Sequence, residues 1–300
     1  MNAAIAGLLC ATMTCLIASS LQAQMVPSGR PMASRSLSDL VAKTRSTVVQ
    51  IMTAAGSGTG FFINGDGIVV TAGHVVCCDS KGDNFDKISV ALPVKPAANE
   101  EHKIFFIGNR SAIPAKVIDI DKDHDIAILK PDSNMLGGAM KTGFSSPTLQ
   151  GEFAQRTAAI LETKALEDGE EIYTSGFPLS FPVLITTSGA IASSVPFEFD
   201  PALFTELHSY WADIQVNHGN SGGPVFSRSS GRVIGIVHGV RLAEAESSGH
   251  VIYGEIEEGK PLQPIRYNSG IAYVVPAEYI AALLDKNKIS YEKSEPKQPK

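Results

Sequence analysis

The sequence predicts an all-β protein with a short helix at either end. Short apolar runs rich in Val, Ile and Phe recur from residue 48 to residue 275. Glycine, with 27 residues in 300, falls between them at turn positions. Helical spacing is confined to Leu37–Thr44 and Ala277–Leu284.

In chain order, Leu37–Thr44 reads as a helix, with Ser36 or Ser38 as its cap and Asp39 favourable near its positive end. Val48–Met52 reads as a strand. Phe61–Ile63 and Ile68–Val70 flank Asn64-Gly65-Asp66-Gly67, a strong hairpin turn. Lys87–Leu92, Lys103–Ile107, Ala115–Ile120 and the apolar run Ile126–Leu129 complete a first half that ends near Lys130. Residues 131–156, rich in Gly, Ser and Pro, read as a connection. The second half offers Ala158–Leu161, Glu171–Ser175, Val183–Thr187, Ala190–Ser194, Trp211–Gln215, Val225–Phe226, Val233–Val237 and Gly270–Val275. The closing helix follows Pro276, with Ile280, Leu283 and Leu284 on its apolar side. Residues 286–300 are Lys- and Pro-rich and read as a disordered tail. No internal sequence repeat is visible.

Three fragments carry chemistry: Val69-Val70-Thr71-Ala72-Gly73-His74, Asp123-His124-Asp125-Ile126-Ala127-Ile128-Leu129 and Gly219-Asn220-Ser221-Gly222-Gly223-Pro224. Each alone has a bland reading as a turn, a structural histidine or a polar strand end. Together, in the order His, Asp, Ser, they match one arrangement of the nucleophilic triad and point to peptide-bond cleavage. A serine hydroxyl needs a base near neutral pH, and imidazole titrates in that range. A buried carboxylate fixes the tautomer of that imidazole. The developing oxyanion needs donors already aimed at it, which the glycines around Ser221 permit. Asp119, Asp121, Asp123 and Asp125 alternate, so a strand would set all four on one face. Asp125 directly precedes the apolar run and is preferred as the orienting carboxylate, with Asp123 as the alternative.

These fragments resemble the trypsin-like serine peptidases, and within them the protease domain of the HtrA/Deg group. Ser57-Gly58-Thr59-Gly60-Phe61-Phe62-Ile63, Gly176-Phe177-Pro178, Thr187-Ser188-Gly189-Ala190-Ile191 and Gly270-Ile271-Ala272-Tyr273-Val274-Val275-Pro276 extend the resemblance over residues 37–285. It implies two six-stranded antiparallel β-barrels of the chymotrypsin type, barrel one over residues 45–130 and barrel two over 157–275, with a short C-terminal helix. It also implies His74 as general base, Asp125 as orienter, Ser221 as nucleophile, and the N–H groups of Gly219 and Ser221 as the oxyanion hole. The segments 213–218 and 236–240 would line the pocket for the residue before the scissile bond. Val216, Val237 and Val240 there suggest a small or medium apolar side chain. His238 would favour an acidic one, unless it and His218 serve only as structural hydrogen-bonding groups. Arg241 reads as exposed, and Asp213 would draw a basic side chain only if it turned inward.

Two departures from the family matter. About fifteen residues follow the closing helix, too few for the PDZ domain usual in HtrA proteins. Asn220 stands where digestive relatives carry an aspartate that pairs with a freshly cut N-terminus. A neutral amide offers no such ion pair, so we expect an enzyme without that zymogen switch.

Composition is that of an ordinary globular chain, 44% apolar and 19% charged. A formal charge of −6 without a basic stripe argues against nucleic acid as a partner. Residues 1–24 read as a secretory signal cleaved after Ala23 and residues 25–36 as a loose arm. The apolar run Ile5–Ile17 is short for a membrane span, although no Lys or Arg precedes it. An uncleaved anchor is the alternative. Cys10 and Cys15 lack a convincing lipobox and leave with the signal. Cys77 and Cys78 then remain, adjacent, and two free thiols are expected in preference to a strained vicinal bridge. Residues 242–268 form an insertion that reads as a solvated excursion or a lid.

The expected function is an exported serine endopeptidase with a protein or peptide substrate, including damaged proteins, and with no metal or organic cofactor. No stable membrane insertion is expected once the signal is removed. Oligomers are compatible with the family. The alternatives are a narrow-specificity processing protease and a catalytically idle binding protein of the same fold.

Overall fold

A computed structural model describes residues 36–77, 85–92, 112–132, 157–181, 183–194, 209–254 and 262–294. Helix α1 (Leu37–Thr44) is capped by Ser36, whose hydroxyl accepts the Asp39 N–H at 3.2 Å. A 3₁₀ turn leads from it into the first barrel, which is built from β1 (Val48–Thr53), β2 (Gly56–Phe62), β3 (Val69–Ala72), β4 (Ile88–Ala91), β5 (Ala112–Asp121) and β6 (Ile126–Pro131). The one-turn helix α2 (Gly73–Val76) follows β3. The sheet closes in the order β1-β2-β3-β6-β5-β4.

The second barrel comprises β7 (Glu171–Gly176), β8 (Ile185–Ser193), β9 (Tyr210–Asp213), β10 (Pro224–Ser227), β11 (Val233–Glu244) and β14 (Arg266–Pro276). Its closed order is β10-β11-β14-β9-β8-β7. Read from β7, that is the order of the first barrel, so the two halves share a topology that the sequence does not repeat. Helix α3 (Ala277–Lys286) follows without a break, and β12 (Glu246–Ser247) and β13 (His250–Val251) form a small hairpin beyond β11. The expected fold class, two antiparallel six-stranded barrels with a short C-terminal helix, is what the structure has.

Burial explains why some strands lack polar alternation. On β11, Ile234 and Val237 fill the second barrel's core, while Val233 and Ile236 join the cluster centred on the first barrel. Tyr173 and Ile172 on β7 divide in the same way, as do Phe226 and Val225 on β10. These strands bury both faces, so their apolar runs are continuous. Phe177, Val275 and the α3 residues Ile280, Leu283 and Leu284 belong to the same shared cluster.

Several local expectations are corrected. Residues 158–161 form no strand; Leu161 makes only isolated bridges, to Val233 and Lys293. Val183–Thr187 and Ala190–Ser194 merge into the single strand β8, which pairs without a break along β7 from Gly176↔Ile185 to Glu171↔Ala190. The start of the expected disordered tail is packed: Leu161 N–H donates to Glu292 O at 3.0 Å, Ser294 N–H donates to Leu161 O at 2.9 Å, and Ile289 and Tyr291 lie against the core. Cys77 is disulfide-bonded rather than a free thiol. In the described parts of the insertion, 242–254 and 262–268, Leu242, Ala243 and Glu244 pair with Asn268, Tyr267 and Arg266 as an extension of β11 and β14, and Leu242, Tyr253, Leu262 and Tyr267 are exposed; residues 255–261 lie outside the described residues. The readings for residues 1–35, Cys78, Lys103–Ile107, most of the 131–156 connection and 295–300 fall outside the described residues. Among the described residues, no helix is long and apolar enough to cross a membrane.

Candidate active site

The Asn64 carboxamide shapes the turn before β3 by accepting the N–H groups of Asp66 and Ile68, both at 3.1 Å. From there β3 runs straight into α2, so His74 leaves the end of a fully buried strand on a fixed trajectory. Its partner comes from the turn between β5 and β6. That turn is held by Asp121, whose carboxylate accepts the N–H groups of Asp123 and His124 and the His124 Nδ1 at 2.7 Å. The His124 ring stacks on Tyr279 of α3, with centroids 3.7 Å apart. The four alternating aspartates therefore do not share one strand face. Asp119 turns to Lys286 and Asn287 of the C-terminal segment, and Asp123 is exposed. Asp125 takes a left-handed conformation (φ 53°), which swings its side chain under α2.

Asp125 then meets the Gly73-His74 segment at three points. Gly73 N–H donates to the Asp125 carbonyl at 2.8 Å, His74 N–H to Oδ1 at 2.7 Å, and His74 Nδ1 lies 2.6 Å from Oδ2. Burial alone would push the Asp125 carboxyl up. The hydrogen bonds from His238 and His74, with their charges, outweigh it and hold the group well below the usual carboxylate range.

Ser221 lies in the turn before β10. Gly222 N–H donates to Val237 O at 2.7 Å and Gly223 N–H to Asn220 O at 2.8 Å. Gly219 has φ +96°, and a Cβ there would sit 2.3 Å from the Phe177 carbonyl, so only glycine fits. Among the described residues, the N–H groups of Gly219 and Ser221 meet no protein acceptor. The Ser221 hydroxyl donates to the main-chain carbonyl of His238 at 3.2 Å.

The residues read as pocket lining separate in the structure. Val216 and Val237 are each 1% exposed and belong to the second barrel's core, with Val240 packed against it. The carbonyl of His218 accepts Leu179 N–H at 2.5 Å. His238 turns its ring to Asp125, with Nδ1 2.6 Å from Oδ2, the same oxygen that His74 uses. The two imidazoles stand edge to face, 5.5 Å between centroids. This contact was not legible from the sequence. Val237 pairs with Val274 and Gly239 with Tyr273, so His238 is the extra residue of a β-bulge. A bulge breaks the period-two rule and re-aims the side chain.

The profile of the trypsin-like peptidase domain matches residues 58–236. Over 179 residues the chain is 28% identical to a probable periplasmic serine endoprotease DegP-like of Pseudomonas savastanoi pv. phaseolicola, covering 60% of this chain and 28% of that protein. It is 28% identical over 193 residues to the serine protease HTRA1B of Danio rerio, covering 64% of this chain and 32% of the relative. The chain thus spans less than a third of the length of these relatives. Among solved structures, the inactive form of a serine-to-alanine mutant of Rv3671c from M. tuberculosis H37Rv superposes with a TM-score of 0.51 at 20% identity, over 82% of this chain and 89% of that one. That likeness concerns the fold. With the family profile matching well over half of its length, the chain belongs to the trypsin-like peptidase domain family.

Proposed function

We propose that this chain is an exported serine endopeptidase in which Ser221 is the nucleophile, His74 the general base and Asp125 the orienter. The observation that carries this reading is the double grip of Asp125 on His74, through the main-chain N–H and the ring. With Nδ1 committed as a donor, Nε2 is left as the acceptor that a base requires. Ser221 enters from the other barrel, on a turn whose Gly219 and Ser221 N–H groups, without an acceptor among the described residues, suit an oxyanion.

In this reading the Ser221 hydroxyl leaves the His238 carbonyl, passes its proton to His74 Nε2, and Oγ bonds to the substrate carbonyl carbon. The carbonyl oxygen takes the negative charge and is stabilised by the N–H groups of Gly219 and Ser221. His74 then protonates the departing amine, the C–N bond breaks, and an ester to Ser221 remains. Water, deprotonated by His74, cleaves that ester and restores the hydroxyl. The substrates are protein chains, damaged or unfolded ones included. Export is supported by the signal-like segment before residue 25 and by the periplasmic naming of the DegP-like relatives.

Labelling by a fluorophosphonate probe tests the assignment. Wild-type protein is expected to label stoichiometrically, and Ser221→Ala not at all. Well-folded wild type that stays unlabelled would refute the assignment.

A further inference from the structure

His238 makes two contacts that belong to different halves of the molecule. Its carbonyl receives the Ser221 hydroxyl, on the second barrel's own turn. Its ring reaches across to Asp125, which the first barrel supplies. The bulge in β11 makes this reach possible, because without it the ring would follow the strand's alternation.

The Asp125 carboxylate is thereby fully directed. Oδ1 accepts the His74 main-chain N–H, and Oδ2 accepts both imidazoles, each at 2.6 Å. Two His nitrogens and a carboxylate oxygen are also the donor types of a zinc site, and these three atoms lie within 4.8 Å of one another. Each Nδ1, however, already sits at hydrogen-bond distance from Oδ2, and the two hydrogen bonds account for the convergence without a cation. Nor does the ring have the freedom of a specificity group, since its Nδ1 is committed to Asp125.

We infer that His238 is a positioning residue: its imidazole holds the Asp125 carboxylate in the orientation that His74 needs, while its main chain gauges Ser221 against the same carboxylate. This rests on the serine-peptidase reading above. The His238 imidazole acts through Asp125 and fastens the first barrel, which supplies Asp125, to the second, which supplies Ser221. It also requires both rings to carry their proton on Nδ1.

Two readouts test this. The first is saturation kinetics of fluorophosphonate labelling on the full chain. His238→Ala is expected to lower the maximal rate about 10- to 100-fold, the effect of one charge-assisted hydrogen bond, with the probe's half-saturation concentration unchanged. His238→Asn, whose amide can donate from nearly the same place, is expected to recover most of the loss. The second readout is histidine ¹⁵N correlation spectra, which assign tautomers without any need for activity. Wild type is expected to show His74 and His238 as Nδ1–H, with Asp125→Asn releasing both. His124, held by Asp121, serves as the unaffected control.

An alanine variant as fast as wild type, or one altered only in half-saturation, would overturn the proposal. So would a His238 proton on Nε2. Should wild type fail to label, the peptidase reading falls, and the tautomers still decide whether His238 holds Asp125.

Discussion

Thr59 Oγ1 donates to the Gly219 carbonyl at 2.6 Å, joining β2 of the first barrel to the turn that carries Ser221. The same oxygen accepts the Phe177 N–H at 3.1 Å, and the Thr59 N–H reaches the Ser221 carbonyl at 2.9 Å. One fully buried hydroxyl thus fixes the Gly219–Asn220 peptide, which lies between the two N–H groups proposed for the oxyanion hole. Thr59→Val keeps the shape and removes the hydroxyl. We expect a loss of about 1–3 kcal/mol, since a buried carbonyl and a buried N–H lose their partner. Denaturant unfolding measures the stability, and slower fluorophosphonate labelling should accompany the loss.

Gly219→Ala tests the turn directly. At φ +96° an added Cβ meets the Phe177 carbonyl, which is backbone and does not yield cheaply. The N–H must rotate away, and removal of one oxyanion donor costs about 10²–10³ in rate. We expect labelling and peptide turnover to fall by that order while the far-ultraviolet circular dichroism stays that of the wild type.

The depressed Asp125 carboxyl makes a pH prediction with a definite sign. In the unfolded chain an aspartate titrates near about 3.9. A folded value below this contributes stability that is fully present above pH about 4 and is lost as pH falls toward the folded value. The stability difference between wild type and Asp125→Asn should therefore be constant near neutrality and should shift steadily against wild type below pH 4. Urea titrations from pH 7 to pH 2.5 would measure it. A difference independent of pH across that range would contradict the cause assigned to the shift.

His124→Ala removes the ring that joins the Asp125 turn to α3. The stack on Tyr279 is expected to contribute about 1 kcal/mol. Because Asp121 then loses one of its three donors, the turn carrying Asp125 loosens and the labelling rate should drop. His124→Phe keeps the stack alone, so it should recover stability more fully than rate.

The fold was readable because its signals are local. Asn64-Gly65-Asp66-Gly67 marks its hairpin, and the length and spacing of the apolar runs mark most strands. The candidate triad was readable because His74 and Ser221 sit in short, distinctive strings. Features set by distant contacts were not. Asp125 obtains its direction from a left-handed turn residue rather than from strand alternation. His238 obtains its direction from a bulge that is visible only once β11 is paired with β14. The segment after α3 has a disordered composition, yet it docks because Leu161 offers it backbone partners.

The two barrels also set an order of events along the growing polypeptide. A chain that has emerged through Ser221 already holds His74, Asp125 and Ser221, and all six strands of the first barrel. Yet β11 and β9 both lean on β14, which ends at Pro276. Until that last strand arrives, the second barrel has two open edges, and His238 has no paired strand on which to form its bulge. The proposed active site is thereby left incomplete until the strand ending at Pro276 has joined the second barrel.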